Sequence, residues 1–185
     1  SSNAAGTGNI FVSTEKGNEV VVLDKSYNII KRIATSKRPR DMQMTKARDL
    51  LYVACGDEDT IDVIDLAKLE VIDSIPTSPS PEMFRLSDDE QSIYVSDEEN
   101  STVEKIDLKS KVQVQSIPSG AEPEGILIMP GGKIVFATSE VADMVHIIDT
   151  AQGAVIKNIL VGTRPRRLIH LPSLNEVWVS CELSS

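Results

Sequence analysis

The sequence predicts an all-β protein built from one four-stranded unit repeated along the chain, and three ladders of residues sharing one period predict it. Pro39, Pro81, Pro123 and Pro165 stand 42 residues apart each time. Thirteen residues after each comes an aromatic, Tyr52, Tyr94, Phe136 and Trp178, with Phe11 a further 41 residues upstream. Thirteen residues after the aromatics of the first four units come Asp24, Asp65, Asp107 and Asp149. Within a unit the apolar residues follow strand-and-turn chemistry rather than a helical period.

The second unit shows each element in order. Residues 50–55 (LLYVAC) form a run rich in β-formers, followed by the loop GDEDT and a second run, IDVIDL, at 61–66. A turn leads to VIDSIP at 71–76, and a proline-containing link leads to EMFRLS at 82–87. The runs are rich in Val, Ile and Tyr and are bounded by Gly, Pro, Asp and Ser. Residues 66–72 are the best helical stretch and are too short and too β-branched to stand as one. Residues 126–138 (ILIMPGGKIVFAT) are two strands joined at Pro130-Gly131-Gly132, and residues 87–92 and 172–176 make the equivalent turns.

Four strands per unit of this length is the signature of a β-propeller blade. The segment after each ladder proline is expected innermost, lining a central channel, then the aromatic strand, then the Asp-ended strand. The strand around Ile75, Ile117 and Ile159 is outermost. The pairs Met42/Met44, Phe84/Leu86 and Ile126/Ile128, with the aromatic ladder, are expected to pack blade on blade. Repeats start near residues 10, 51, 93 and 135, with a partial fifth from 177, within a propeller segment spanning 5–185; Ser1-Ser2-Asn3-Ala4 reads as an expression-tag remnant. The count is three complete blades, three strands before them and two after, about 4.4 repeats. Such an arc leaves unpaired edges and half-buried blade faces, so self-association or completion by further blades is expected.

Composition excludes several classes. With 41% hydrophobic and 25% charged residues the chain is neither disordered nor fibrous. No apolar stretch is long enough for a membrane-spanning helix. Lys and Arg number 19 against 28 Asp and Glu, a net charge of -9, which argues against a nucleic-acid partner. Cys55 and Cys181 lie three periods apart, on equivalent positions of different blades, too distant to bridge.

The units Y52VAC…TIDVIDL…VIDSIPTSPSPE and Y94VSD…STVEKIDL…VQSIPSGAEPEG resemble the YVTN family of β-propeller repeats over residues 9–181. Residues 122–150 and 160–182 resemble, more narrowly, the propeller proteins associated with PQQ-dependent catabolism. That resemblance implies a seven-bladed ring, an exported (periplasmic or secreted) location, and work beside pyrroloquinoline-quinone enzymes that oxidise alcohols. Pyrroloquinoline quinone itself would then reach the chain only through a partner, a quinoprotein dehydrogenase or its cytochrome.

A propeller takes ligands at the mouth of its channel. The residues flanking the ladder prolines there are Arg38 and Arg40, Ser80 and Glu82, Glu122 and Glu124, and Arg164 and Arg166. Asp41 and Arg167 follow. In a seven-bladed ring the two Arg-flanked repeats face each other, which suits an anionic small molecule or an acidic partner loop. The competing account is inter-blade pairing, Arg40 with Glu82 and Glu124 with Arg166, worth about 0–1 kcal/mol each if exposed. The acidic loops at 56–59 and 97–100 lack calcium-loop spacing and read as solvated charge. His146 and His170 show no metal-ligand spacing, His170 being a core substitute or a channel residue. No nucleophile–base motif is recoverable from the spacing. Two functions remain from different classes: a non-catalytic docking module, or an enzyme or enzyme subunit resembling lactone hydrolases or a quinoprotein dehydrogenase propeller subunit. The latter would rest on Glu82, Glu124 and Asp41. A surface-layer or adhesion role is a third.

Overall fold

The computed structural model describes residues 8–184, so the expected tag remnant lies outside the described residues. It contains 17 strands and one short 3-10 turn, Glu15–Gly17. Blade one has three strands, β1 (Ile10–Thr14), β2 (Glu19–Leu23) and β3 (Ile29–Ala34). Blade two is β4 (Pro39–Met44), β5 (Leu50–Cys55), β6 (Thr60–Asp65) and β7 (Glu70–Pro76). Blade three is β8 (Pro81–Leu86), β9 (Ser92–Asp97), β10 (Thr102–Asp107) and β11 (Val112–Pro118). Blade four is β12 (Pro123–Ile128), β13 (Ile134–Ser139), β14 (Met144–Asp149) and β15 (Ala154–Leu160). Blade five holds β16 (Pro165–Leu171) and β17 (Glu176–Cys181). Every pairing is antiparallel between sequence neighbours, so blades two to five are meanders running outward from the strand after the ladder proline, and blade one opens on its aromatic strand.

Both faces of an inner blade are buried, which explains runs such as LLYVAC with no polar alternation. Leu51, Val53 and Cys55 on one face of β5 pack with Val20, Val22 and Ile33 of blade one. Tyr52 and Ala54 on its other face pack with Phe84, Leu86, Ile93 and Val95 of blade three. Tyr94, Val103 and Ile117 meet Ile126, Val135 and Ile148 of blade four in the same way. Each such fully buried side chain is worth about 1.5–3 kcal/mol of apolar transfer, so the three seams hold the arc together.

The aromatic ladder departs from its expected core role at the end of the arc. Tyr94 is 2% exposed, whereas Trp178, at the same blade position, is 57% exposed because no blade covers β17. Met44 is also exposed, against expectation.

The Asp ladder closes the outer hairpins. Asp65 Oδ1 accepts the backbone N–H groups of Ala67 and Lys68, and Asp149 Oδ1 those of Ala151 and Gln152. Asp24 and Asp107 do the same at their turns. These donors hold all four carboxyls below the usual range. At the inner hairpin of blade four, Gly131 and Gly132 take φ values of 87° and 67°, the left-handed conformation that the Pro-Gly-Gly turn requires.

Candidate functional site

The link entering each inner strand is knotted in the same way. The residue before the ladder proline is left-handed, with φ of 58° at Arg38, 55° at Ser80, 51° at Glu122 and 56° at Arg164. An Asx side chain from the preceding blade catches its N–H: Asn18 for Arg38 (3.0 Å), Asp59 for Ser80 (2.9 Å) and Asp143 for Arg164 (2.9 Å). Directly after the proline each inner strand bulges. Pro39 pairs with Cys55 but Met42 with Val53, so Arg40 and Asp41 together stand opposite Ala54. The same shift follows Pro81, Pro123 and Pro165. A bulge re-aims side chains out of the sheet alternation, and here it turns one residue pair per blade toward the mouth.

Hydroxyls on the aromatic strand pin three of these bulges, blade two having Ala54 at that place. Ser96 Oγ accepts the N–H of Met83 and donates to its carbonyl, both at 3.1 Å. Thr138 Oγ1 accepts from Gly125 at 2.7 Å, and Ser180 Oγ from Arg167 at 3.2 Å. Gly125 is glycine for a steric reason: a Cβ there would lie 2.0 Å from the Arg166 carbonyl oxygen.

The bulged residues enclose a cavity of about 170 Å³. Arg40 and Asp41 of blade two, Glu82 and Met83 of blade three, Glu124 of blade four and Arg167 of blade five line it, with Ser13 and Glu15 of blade one. Five of the residues singled out in the sequence therefore meet in one cavity. Arg38, Arg164 and Arg166 stand behind its wall, binding carboxylates.

Both expected inter-blade pairs form. Arg40 is ion-paired with Glu82, and Arg166 Nη2 lies 2.8 Å from Glu124 Oε1. The carboxylate side is not exposed: Glu82 is 5% and Glu124 6% accessible. These are therefore pairs whose desolvation has to be offset by charged donors, which Glu82 receives from two arginines and Glu124 from one. Arg38 reaches Glu82 at 3.5 Å, while Arg166 also contacts Glu140 at 2.8 Å and Glu182 at 3.3 Å. Arg164 contacts Glu140 at 2.9 Å and Glu182 at 3.4 Å. Asp41 takes Arg85 at 2.6 Å and Arg167, from three blades away, at 3.7 Å. All five mouth arginines thus have a carboxylate within ion-pair distance, Arg167 the most distant at 3.7 Å. Burial together with Glu124, Glu122 and Glu140 pushes the Glu98 carboxyl up.

A second ladder was not singled out in the sequence. Asp62, Glu104 and His146 are buried on the third strand of successive blades, each bonded to the link entering its own blade. Asp62 accepts from Ser36 N at 2.7 Å, Ser36 Oγ at 3.0 Å and Ser74 Oγ at 2.6 Å. Glu104 accepts from Ser78 Oγ at 2.6 Å, and burial raises its pKa. His146 Nε2 accepts the Gly120 N–H at 3.1 Å, so Nδ1 donates to Asn158 Oδ1 at 2.7 Å. The signal was present as a polar residue recurring every 42 positions inside IDVID, VEKID and VHIID.

This ladder also brings a hydroxyl and an imidazole to one link without any motif in the spacing. Ser139 and His146 both border the space beside Gly120, with Asn158 on the far ring nitrogen. Ser139 Oγ donates to the Ala121 carbonyl, however, and Nε2 is filled by Gly120, so both groups are tied to the link. In blade two the equivalent neighbours are Cys55 and Asp62, 3.8 Å apart, and burial beside that carboxylate pushes the thiol up to about 12. Such a thiol is inert. Cys55 and Cys181 are unpaired.

Of the acidic loops, 57–59 is exposed, but Asp97 is buried, accepting the Asn100 backbone N–H at 3.0 Å and side-chain amide at 2.7 Å. Among the described residues no group of three or more His, Cys, Asp or Glu is placed to hold a metal ion. Nor is any described helix long and apolar enough to cross a membrane. His170 is half-buried on β16.

The chain is similar to solved propeller structures. It superposes on hydrazine synthase of Kuenenia stuttgartiensis with a TM-score of 0.82 at 24% identity, covering 93% of this chain and 52% of that one. A functionally unknown protein from Desulfotomaculum acetoxidans DSM 771 gives a TM-score of 0.82 at 15% identity, covering 97% of this chain and 62% of that one. This chain thus spans a little over half the length of each. No curated protein matches it. The model of the YNCE-like beta-propellers matches residues 3–173, nearly the whole sequence. The chain belongs to the YNCE-like beta-propeller family.

Proposed function

We propose that the chain is a non-catalytic binding module that docks a partner at the channel mouth. The observation that carries this reading is the convergence of five blades on one cavity, blades two to five through the bulged residue pair after the ladder proline. Preorganised charge on rigid strands serves recognition, because little ordering is left to be done on binding. The repeat resemblance to propellers of PQQ-dependent catabolism sets the partner to test first, an exported quinoprotein dehydrogenase or its cytochrome, in the periplasm. The Arg residues at the mouth favour an acidic loop or an anionic group on that partner.

The test is capture of periplasmic proteins from alcohol-grown cells on the immobilised chain, at low and high salt, with identification by mass spectrometry. Salt-sensitive capture of a quinoprotein or its cytochrome, lost in Arg167→Glu, is the expected result. Arg167 is chosen because its side chain is 60% exposed and supports no other blade beyond Asp41. Capture that ignores both salt and this substitution would overturn the reading.

A further inference from the structure

The mouth cavity is lined by two buried carboxylates and by a guanidinium without hydrogen bonds to the described residues, and we propose that it binds a small amino-carboxylate, a molecule carrying an ammonium group next to a carboxylate. This rests on the mouth being the binding site and names what enters it. Around the ring the bulged positions run Arg40, Glu82, Glu124, Arg166. The ion pairs fall between the first two and the last two. At the seam between blades three and four two carboxylates, each more than nine-tenths buried, line the cavity and take their arginines from the blade on the far side, Glu82 from blade two and Glu124 from blade five.

Glu124 commits Oε1 to Arg166, and its Oε2 accepts nothing from the described residues. Each carboxylate oxygen carries two lone pairs, so both Glu82 and Glu124 have capacity toward the cavity. An ammonium, with three donors, fills that capacity. The raised Glu98 carboxyl, pushed up by burial and then by Glu124, is consistent with surplus negative charge at this seam.

Arg167 lines the same cavity. Its one charged contact among the described residues is Asp41 at 3.7 Å, too long for a hydrogen bond, so its guanidinium fork is unspent. A carboxylate takes such a fork in a bidentate pair. Met83 lines the same space and gives the connecting carbon an apolar contact. A simple anion would satisfy Arg167 and face Glu82 and Glu124. A simple cation would satisfy the glutamates and face Arg167. Only a ligand with both groups satisfies both.

The experiment is isothermal titration calorimetry of the full chain with alanine, N-acetylalanine and alaninamide as probes. Alanine is expected to bind, and each blocked analogue to bind at least about tenfold more weakly, the loss of one charge-assisted hydrogen-bonded group. Arg167→Met is expected to weaken alanine at least tenfold while leaving alaninamide unchanged, with circular dichroism confirming the fold. Equal binding of N-acetylalanine overturns the ammonium site, and equal binding of alaninamide overturns the carboxylate site. No binding of alanine overturns the proposal; if quinoprotein capture persists, the docking reading stands without it, and if capture fails too, both fall.

Discussion

Replacing Gly125 by alanine tests whether the bulge after the ladder proline sets the seam between blades four and five. The new Cβ would lie 2.0 Å from the carbonyl oxygen of Arg166 and 3.1 Å from Thr138 Oγ1. A carbon–oxygen contact needs about 3.3 Å, so the backbone of β16 has to retreat by roughly 1.3 Å. The obstacle is main chain, which cannot swing aside as a flexible side chain would. Overpacking that forces a backbone shift costs about 1–3 kcal/mol. The retreat also pulls Arg166 from Glu124 and weakens the Thr138 bond to Gly125. Trp178 is the only tryptophan and sits on β17, so its fluorescence reports blade five during urea unfolding while circular dichroism reports the whole arc. The expected result is a lower midpoint by both probes, with the fluorescence transition shifted further. A change below about 0.5 kcal/mol, the range of neutral surface substitutions, with coincident transitions, would refute the steric reasoning.

Four other outcomes follow from the same geometry. Asp62→Ala strands two donors of Ser36 and one of Ser74 in a buried site and should cost about 2–4 kcal/mol by urea titration, with Asp62→Asn milder. Arg48 is exposed with φ of 56° where blade four has Gly132, so Arg48→Gly should raise stability by about 0.5–1 kcal/mol in the same assay. The turn carboxylates Asp24, Asp65, Asp107 and Asp149 have depressed pKa values, so their contribution is present above the unfolded value of 3.8 and disappears as pH falls through the folded ones. Glu104 has a raised pKa, so stability increases as pH falls from neutral through its folded value toward 4.5; melting temperature against pH should pass through an acidic maximum, and Glu104→Gln should flatten only its neutral side. Iodoacetamide at pH 8 should modify half-buried Cys181 and spare Cys55 in the native protein, as read by intact mass, because burial keeps Cys55 protonated.

Most of the fold was legible because a propeller repeats its instructions. A proline, an aromatic and an aspartate at fixed offsets marked strand order. In three dimensions the proline ends the knotted link, the aromatic fills the seam between inner blades, and the aspartate closes the outer turn. Trp178 shows the limit, since its residue type signals a core position while its burial depends on a blade that β17 does not have beside it. The site was legible as a set of residues but not as an electrostatic arrangement. Spacing brought Arg40, Asp41, Glu82, Glu124 and Arg167 together, yet only three dimensions show that Glu82 and Glu124 are buried and that Arg167, of the mouth arginines, keeps its guanidinium donors free of hydrogen bonds to the described residues. The Asp62, Glu104 and His146 ladder was hidden because its members share a place and a job but not a chemical type. Pattern reading that looks for one residue type passes over such a ladder.

The bulges make the mouth modular. Blades two to five each present a bulged dipeptide that stands outside the strand alternation, so its residues differ from blade to blade while the apolar strand faces keep one pattern; Gly125 is the position where the Arg166 carbonyl leaves no room for a side chain. Asp41, Met83, Gly125 and Arg167 occupy one equivalent position and carry an anion, a thioether, no side chain and a cation. Recognition in this architecture is written one sector at a time, and a new specificity can be reached by rewriting a single dipeptide after a single proline.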